Sequence, residues 1–292
     1  MNAVDSAPPE PIAESSLRQS AQVLSTSAVS ALPETAPVLR RDEDGIASLT
    51  LNRPSARNAL SMAMMEALLD ALDAVDADRS VKVVVLAAEG PAFCAGHDLK
   101  ELRAIGRNAE GLGAIFARCS QLMQRLQSIR QPVIAKVHAM ATAAGCQLVA
   151  TADLAIAAET ARFATPGVNI GLFCSTPMVA LTRNVGRKQA MEMLLTGEAI
   201  DAAAATRFGL INHAVPAAEL DAAVTAMARR IASKSPLTLA IGKEAFYAQV
   251  ERSTAAAYDY AAAVMTRNML ARDAQEGVGA FIDKREPTWT GC

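Results

Sequence analysis

A chain of 292 residues can bury a sizeable core without disulfide or metal staples. Its formal net charge of −2 excludes the broad basic field that a nucleic acid or an anionic membrane surface would select. With 51% hydrophobic but only 4% aromatic residues, the core must be made of Ala, Val, Leu, Ile and the 12 Met.

The chain opens on a stretch rich in Ala, Ser and Pro up to about Pro37, with Asp5, Glu10 and Glu14 and one Arg before Arg40. A transit peptide is Arg-rich and poor in acids, and a secretory signal has an apolar centre, so this reads as a disordered tail and predicts a cytoplasmic protein. Ile46 to Leu51 then reads as a strand, broken at Asn52-Arg53-Pro54. Behind Ser61, a helix N-cap, Met62, Met65, Leu68, Leu69 and Leu72 recur at helical spacing. Val81 to Leu86 is a continuous apolar run, as in a strand covered on both faces, and Glu89-Gly90-Pro91 turns the chain.

A second helix is marked by Ile115, Cys119, Leu122, Leu126 and Ile129, followed by strands Val133–Val137 and, after Asp153, Leu154–Ala158. Strand and helix alternating at this spacing predict an α/β fold with right-handed crossovers and a mainly parallel sheet. From Arg187 the periodicity is nearly all helical, through Met191–Leu195, Leu220–Ile231, Leu237–Val250 and Ala255–Leu270. The five cysteines, Cys94, Cys119, Cys146, Cys174 and Cys292, show no C-x-x-C pair, so neither a disulfide framework nor a zinc site is expected. No apolar run reaches the ~18 residues of a membrane span.

Two segments have the composition of oxyanion-binding turns, Phe93-Cys94-Ala95-Gly96-His97-Asp98-Leu99 and Thr142-Ala143-Ala144-Gly145-Cys146-Gln147-Leu148. Each sets small residues between a buried strand and a helix start, where free N–H groups carry partial positive charge and can hold a developing enolate oxygen. Either one alone is equally a Gly turn that lets a helix pack closely on a strand. Together with Leu49-Thr50-Leu51-Asn52-Arg53-Pro54, Asn58-Ala59-Leu60, Phe163-Ala164-Thr165-Pro166, Gly186-Arg187 and Leu195-Thr196-Gly197-Glu198, they resemble the enoyl-CoA hydratase/isomerase (crotonase) family over roughly residues 40 to 285. Ala141–Leu148 and Phe163–Pro177 are most similar to its enoyl-CoA hydratase domain-containing protein 3 branch.

The resemblance implies a crotonase-like ββα spiral core over residues 39–232 behind a tail at 1–38, and a C-terminal helical trimerisation region over 233–292. It implies an acyl-CoA thioester as small-molecule partner, coenzyme A as part of the substrate with no separate cofactor or metal, and a homotrimer or hexamer. His97 and Ala144 would supply the two oxyanion N–H groups, with Gln147 beside them. Arg57, Ala59, Ala95, Gly96, Asp98, Leu99, Gly145, Gly167, Cys174 and Lys243 would contact the substrate. Asp98 is equally a helix cap.

The chain departs from the hydratase pattern at both proton-transfer positions, where the family's glutamates are replaced by Gln147 and Gly167. An amide is no base near neutral pH and glycine has no side chain. Three readings stay open: an enolate-stabilising lyase or isomerase, a decarboxylase of malonyl- or methylmalonyl-type thioesters, and a non-catalytic acyl-CoA binder.

Overall fold

The computed structural model describes residues 36–292, which form one compact unit. The expected tail lies almost wholly outside the described residues. Strands β1 (Val38–Glu43) and β2 (Ile46–Leu51) form an antiparallel hairpin turned at Asp44-Gly45, both at positive φ. The hairpin adds a strand that periodicity did not predict. After helix α1 (Met62–Ala77), capped by the Ser61 side chain on the Met64 N–H, a ββα pattern repeats three times.

In the first repeat β3 (Val83–Ala88) is followed by the short β4 (Ala92–Cys94) and helices α2 (Leu99–Ile105) and α3 (Ala109–Ser128). The second is β5 (Val133–Val137), β6 (Met140–Thr142) and α4 (Ala144–Thr151). The third is β7 (Leu154–Ala158), β8 (Arg162–Ala164), a 3₁₀ turn at Pro166–Ile170, then α5 (Ser175–Asn184) and α6 (Arg187–Thr196). Completing the chain are β9 (Ile200–Asp201), α7 (Ala202–Phe208), β10 (His213–Val215), α8 (Leu220–Ala232), α9 (Pro236–Gln249), α10 (Thr254–Met269) and α11 (Arg272–Asp283).

The long strands pair in the order β1-β2-β3-β5-β7-β10, parallel from β2 onward, while the short ones form a second sheet, β4-β6-β8-β9. Each repeat therefore lays one strand in each sheet before its helix, the spiral that the resemblance implied. The apolar run at β3 has a direct explanation. Val84 and Leu86 face the main core with α1 and α3, and Val83 and Val85 pack under Leu220, Val224 and Ala228 of α8. The strand starts two residues later than expected, because Lys82 N–H is engaged by the Gly45 carbonyl and Val81 N–H by that of Asp78.

Lys243 ties the helical back of the molecule to the spiral. From α9 its ammonium pairs with Asp153 at 2.7 Å and donates to the carbonyls of Leu126 (2.8 Å) and Gln131 (2.9 Å), while Tyr247 OH and Val133 N–H complete the Asp153 carboxylate.

Candidate active site

The three short parallel strands β4, β6 and β8 end side by side, and the segments leaving their carboxyl ends line one cavity of about 510 Å³. Placing a site at the carboxyl ends of parallel strands is a general property of such sheets. Ala95 and His97 come after β4, Ala143 and Ala144 after β6, and Pro166 and Gly167 after β8.

The free donors arise from the pairing pattern. Leu60 forms an isolated parallel bridge with His97, in which Leu60 N–H bonds the Gly96 carbonyl (2.7 Å) and Asp98 N–H bonds the Leu60 carbonyl (3.1 Å). In a parallel bridge the middle residue's own N–H points the other way. His97 N–H has no acceptor among the described residues. Ala144 is the first residue of α4, so its N–H is one of the helix's orphans. Ala143 before it sits at φ 51, ψ −119, a strained conformation for a residue with a Cβ. Its ends are pinned by Ala143 N–H on the Ala164 carbonyl (2.9 Å) and Gln147 N–H on the Ala143 carbonyl (3.0 Å).

The two loops touch through glycines. A Cβ on Gly96, whose φ is +88, would stand 2.8 Å from Ala143 Cβ and 3.3 Å from Ala144 N. One on Gly145 would lie 2.1 Å from the Cys94 carbonyl oxygen. The opening signature of the sequence acquires a role here. Asn58, fully buried, accepts from Arg53 N–H and donates to the Glu89 and Ala92 carbonyls, and Ala95 N–H bonds the Arg57 carbonyl. That stretch wires the first loop in place.

Among the described residues no carboxylate or ammonium group lines the cavity; its titratable side chains are His97 and Cys174. The His97 ring meets Phe116 edge-on, 5.3 Å between centroids, and its Nε2 is buried with no partner among the described residues. Burial lowers its pKa, so the imidazole is neutral at physiological pH. Burial raises the Cys174 thiol, an effect the Gly167 N–H directed at the sulfur opposes. The thiols of Cys94, Cys119 and Cys146 are pushed up to about 12 by burial and lie behind the lining.

Of the residues expected to meet substrate, the structure brings His97, Ala144, Ala95, Leu99, Gly167 and Cys174 to the cavity wall. Gly96 and Gly145 are taken up by the contact between the loops, and Ala59 is buried beneath them. Gln147 is also buried and stays off the wall, its Oε1 facing Cys119 Sγ at 4.0 Å. Asp98 caps α2 through the Lys100 and Glu101 N–H groups and meets Arg53 at 3.3 Å, so the cap reading is the one observed. Lys243 is consumed by Asp153 and two carbonyls and is away from the cavity. Arg57 remains exposed, with only its backbone engaged. Sequence reasoning missed Phe116 and Leu102. Phe116 precedes Cys119 by three and Met123 by seven residues, at the edge of the buried stripe of α3, and a large apolar side chain there was the available signal.

A ββα spiral with two unpartnered N–H groups at the ends of neighbouring short strands is a specific architecture, and comparison with known proteins identifies it. The enoyl-CoA hydratase/isomerase family model matches residues 41–292, and the chain belongs to that family. It is 46% identical over 261 residues to the rat mitochondrial enoyl-CoA hydratase domain-containing protein 3, covering 88% of this chain and 86% of that one. The human protein of that name is also 46% identical, over 259 residues (88% and 84%). Among solved structures, an enoyl-CoA hydratase of Mycobacterium smegmatis superposes with a TM-score of 0.85 at 52% identity, covering 87% of this chain and 99% of that one. Human enoyl-CoA hydratase domain-containing protein 3 gives 0.84 at 46% identity, covering 87% and 100%. The resemblance to that branch is thereby borne out.

The cytoplasmic expectation is overturned, because the relatives from rat, mouse and human are named as mitochondrial proteins. It rested on the composition of a segment outside the described residues, and composition rules for leader peptides are statistical. Among the described residues no helix is long and apolar enough to cross a membrane.

Proposed function

We propose that this protein binds an acyl-CoA thioester in the 510 Å³ cavity and stabilises its enolate between the N–H groups of His97 and Ala144. The observation that carries the reading is the pair of unpartnered donors on adjacent loops of one apolar cavity. A donor aimed at a developing oxyanion is worth ~10²–10³ in rate. In this reading Arg57, exposed beside the first loop, and Leu99 on the cavity wall meet the coenzyme A part of the substrate.

The wall favours decarboxylation of a malonyl-type thioester over hydration. Hydration needs a base for water, and among the described residues no carboxylate lines the cavity. In decarboxylation the bond from Cα to the carboxylate breaks, its electron pair enters the thioester as an enolate, and carbon dioxide leaves without any base.

Assembly into a homotrimer or hexamer is part of the proposal. Helix α10 contains no buried residue, and Tyr258, Leu270 and Phe281 are 75%, 80% and 85% exposed. Apolar surface of that extent marks an interaction face. Incubation of the purified chain with crotonyl-CoA and with methylmalonyl-CoA, read by mass spectrometry beside a binding titration, tests the function. Loss of carbon dioxide supports the favoured reaction, added water points to hydratase chemistry, and binding without product supports a binder. Failure to bind either thioester refutes the assignment.

A further inference from the structure

An enolate, however it forms, must receive a proton at Cα before product can leave, and the family's carboxylate for that step is absent at residue 167. The structure shows what stands there instead. A Cβ built on Gly167 would lie 2.7 Å from the Leu172 carbonyl oxygen and 2.9 Å from Cys174 Sγ. The room into which a side chain at 167 would grow is filled by a thiol and a carbonyl, and only the thiol carries a proton. Cys174 is 7% exposed, and the surface it keeps belongs to the cavity that His97 and Ala144 line.

Resting on the enolate chemistry proposed above, we infer that Cys174 is the group that protonates Cα. The S–H bond breaks as the Cα–H bond forms, the enolate pair supplies that bond, and the thioester carbonyl is restored. The resulting thiolate is held by the Gly167 N–H and by the first turn of α5, which starts at Ser175, and takes its proton back from solvent. Three features support the assignment. Among the wall residues His97 is the other titratable group, and it is neutral. Burial keeps the Cys174 thiol protonated at neutral pH, the form an acid needs. A thioester α-carbon is far more basic as its enolate than a thiolate is, so the transfer runs downhill.

The test is decarboxylation of methylmalonyl-CoA in D₂O by the full chain and by Cys174→Ala and Cys174→Val, with carbon dioxide release and the configuration of deuterium at Cα measured separately. The parent is expected to give one configuration. Both variants should release carbon dioxide with ~10²-fold lower turnover, as for loss of a general acid, and give deuterium on both faces of Cα. A purely structural role for Cys174 would slow the reaction without changing the face that is labelled. Retention of the parent's single configuration in either variant that still binds the thioester overturns the assignment, whatever the rate. No carbon dioxide from the parent overturns the decarboxylation reading, and this inference with it.

Discussion

On the proposed function, the spacing of the two donor loops turns on Gly145, and Gly145→Ala puts a magnitude on it. The added methyl would sit 2.1 Å from the Cys94 carbonyl oxygen and 2.8 Å from both Cys94 C and Cβ. Two of those atoms are backbone, and β4 is held by its pairing to β6, so relief requires α4 to move off β4 by about an ångström to reach ordinary contact. Overpacking of this kind costs ~1–3 kcal/mol, which for a domain of this size lowers the melting temperature by about 2–4 °C per kcal/mol. The displacement also carries Ala144 N–H away from its partner donor. A 1 Å misplacement of a positioning group costs ~10²-fold in rate. Thermal unfolding beside kcat/KM on whichever thioester turns over reads both effects. An unchanged melting temperature with unchanged kinetics would refute the claim that glycine here sets the loop spacing.

Gly113 is the opposite case: it lies inside α3 with nothing within 4 Å of its would-be Cβ. Gly113→Ala is therefore expected to stabilise by ~0.5–1 kcal/mol through helix propensity alone, measured as a higher denaturation midpoint. Lys243→Met leaves the half-buried Asp153 without its cation. Loss of one partner from a buried pair costs ~3–5 kcal/mol, and Tyr247 OH and Val133 N–H on Asp153 put the expected value at the lower end; chemical denaturation measures it. Asp76 governs part of the acid limb. Burial opposes its charge, but the Arg130 N–H and the Arg125 guanidinium outweigh it and hold the carboxyl below its ordinary 3.8. Its contribution is thus fully present above that pH and lost as pH falls through the lower folded value. Asp76→Asn should flatten the fall of stability with pH below about 4, and an unaltered acid limb would contradict this.

Much of the site was legible because its determinants are local. Small residues between a strand and a helix start define the loops at 95–97 and 143–145, and the apolar runs at Val83 and Val133 place the strands that aim them. The hairpin at Asp44-Gly45 carried an explicit turn signal, but periodicity beginning at Ile46 passed over β1, whose burial pattern is almost entirely exposed. What stayed hidden depends on partners distant in the chain. Lys243 was expected to contact the substrate, and its partners lie at residues 126, 131 and 153, about a hundred positions upstream. The same holds for Phe116, which reaches the site only because α3 crosses beside the His97 ring.

The two positions at which the resemblance implies glutamates, 147 and 167, differ in space. At residue 147 the side chain keeps its length and is buried against Cys119, so a carboxylate would fit there but would pay desolvation with a thiol for a neighbour. At residue 167 the chain has closed over the space, with Leu172 O and Cys174 Sγ inside the reach of a Cβ. A carboxylate at residue 167 would therefore require rebuilding the 166–174 turn, not a point change. On the proposed enolate chemistry, a wall of this shape, with the N–H groups of His97 and Ala144 unpartnered, would keep the oxyanion donors and draw its proton from a group other than a carboxylate.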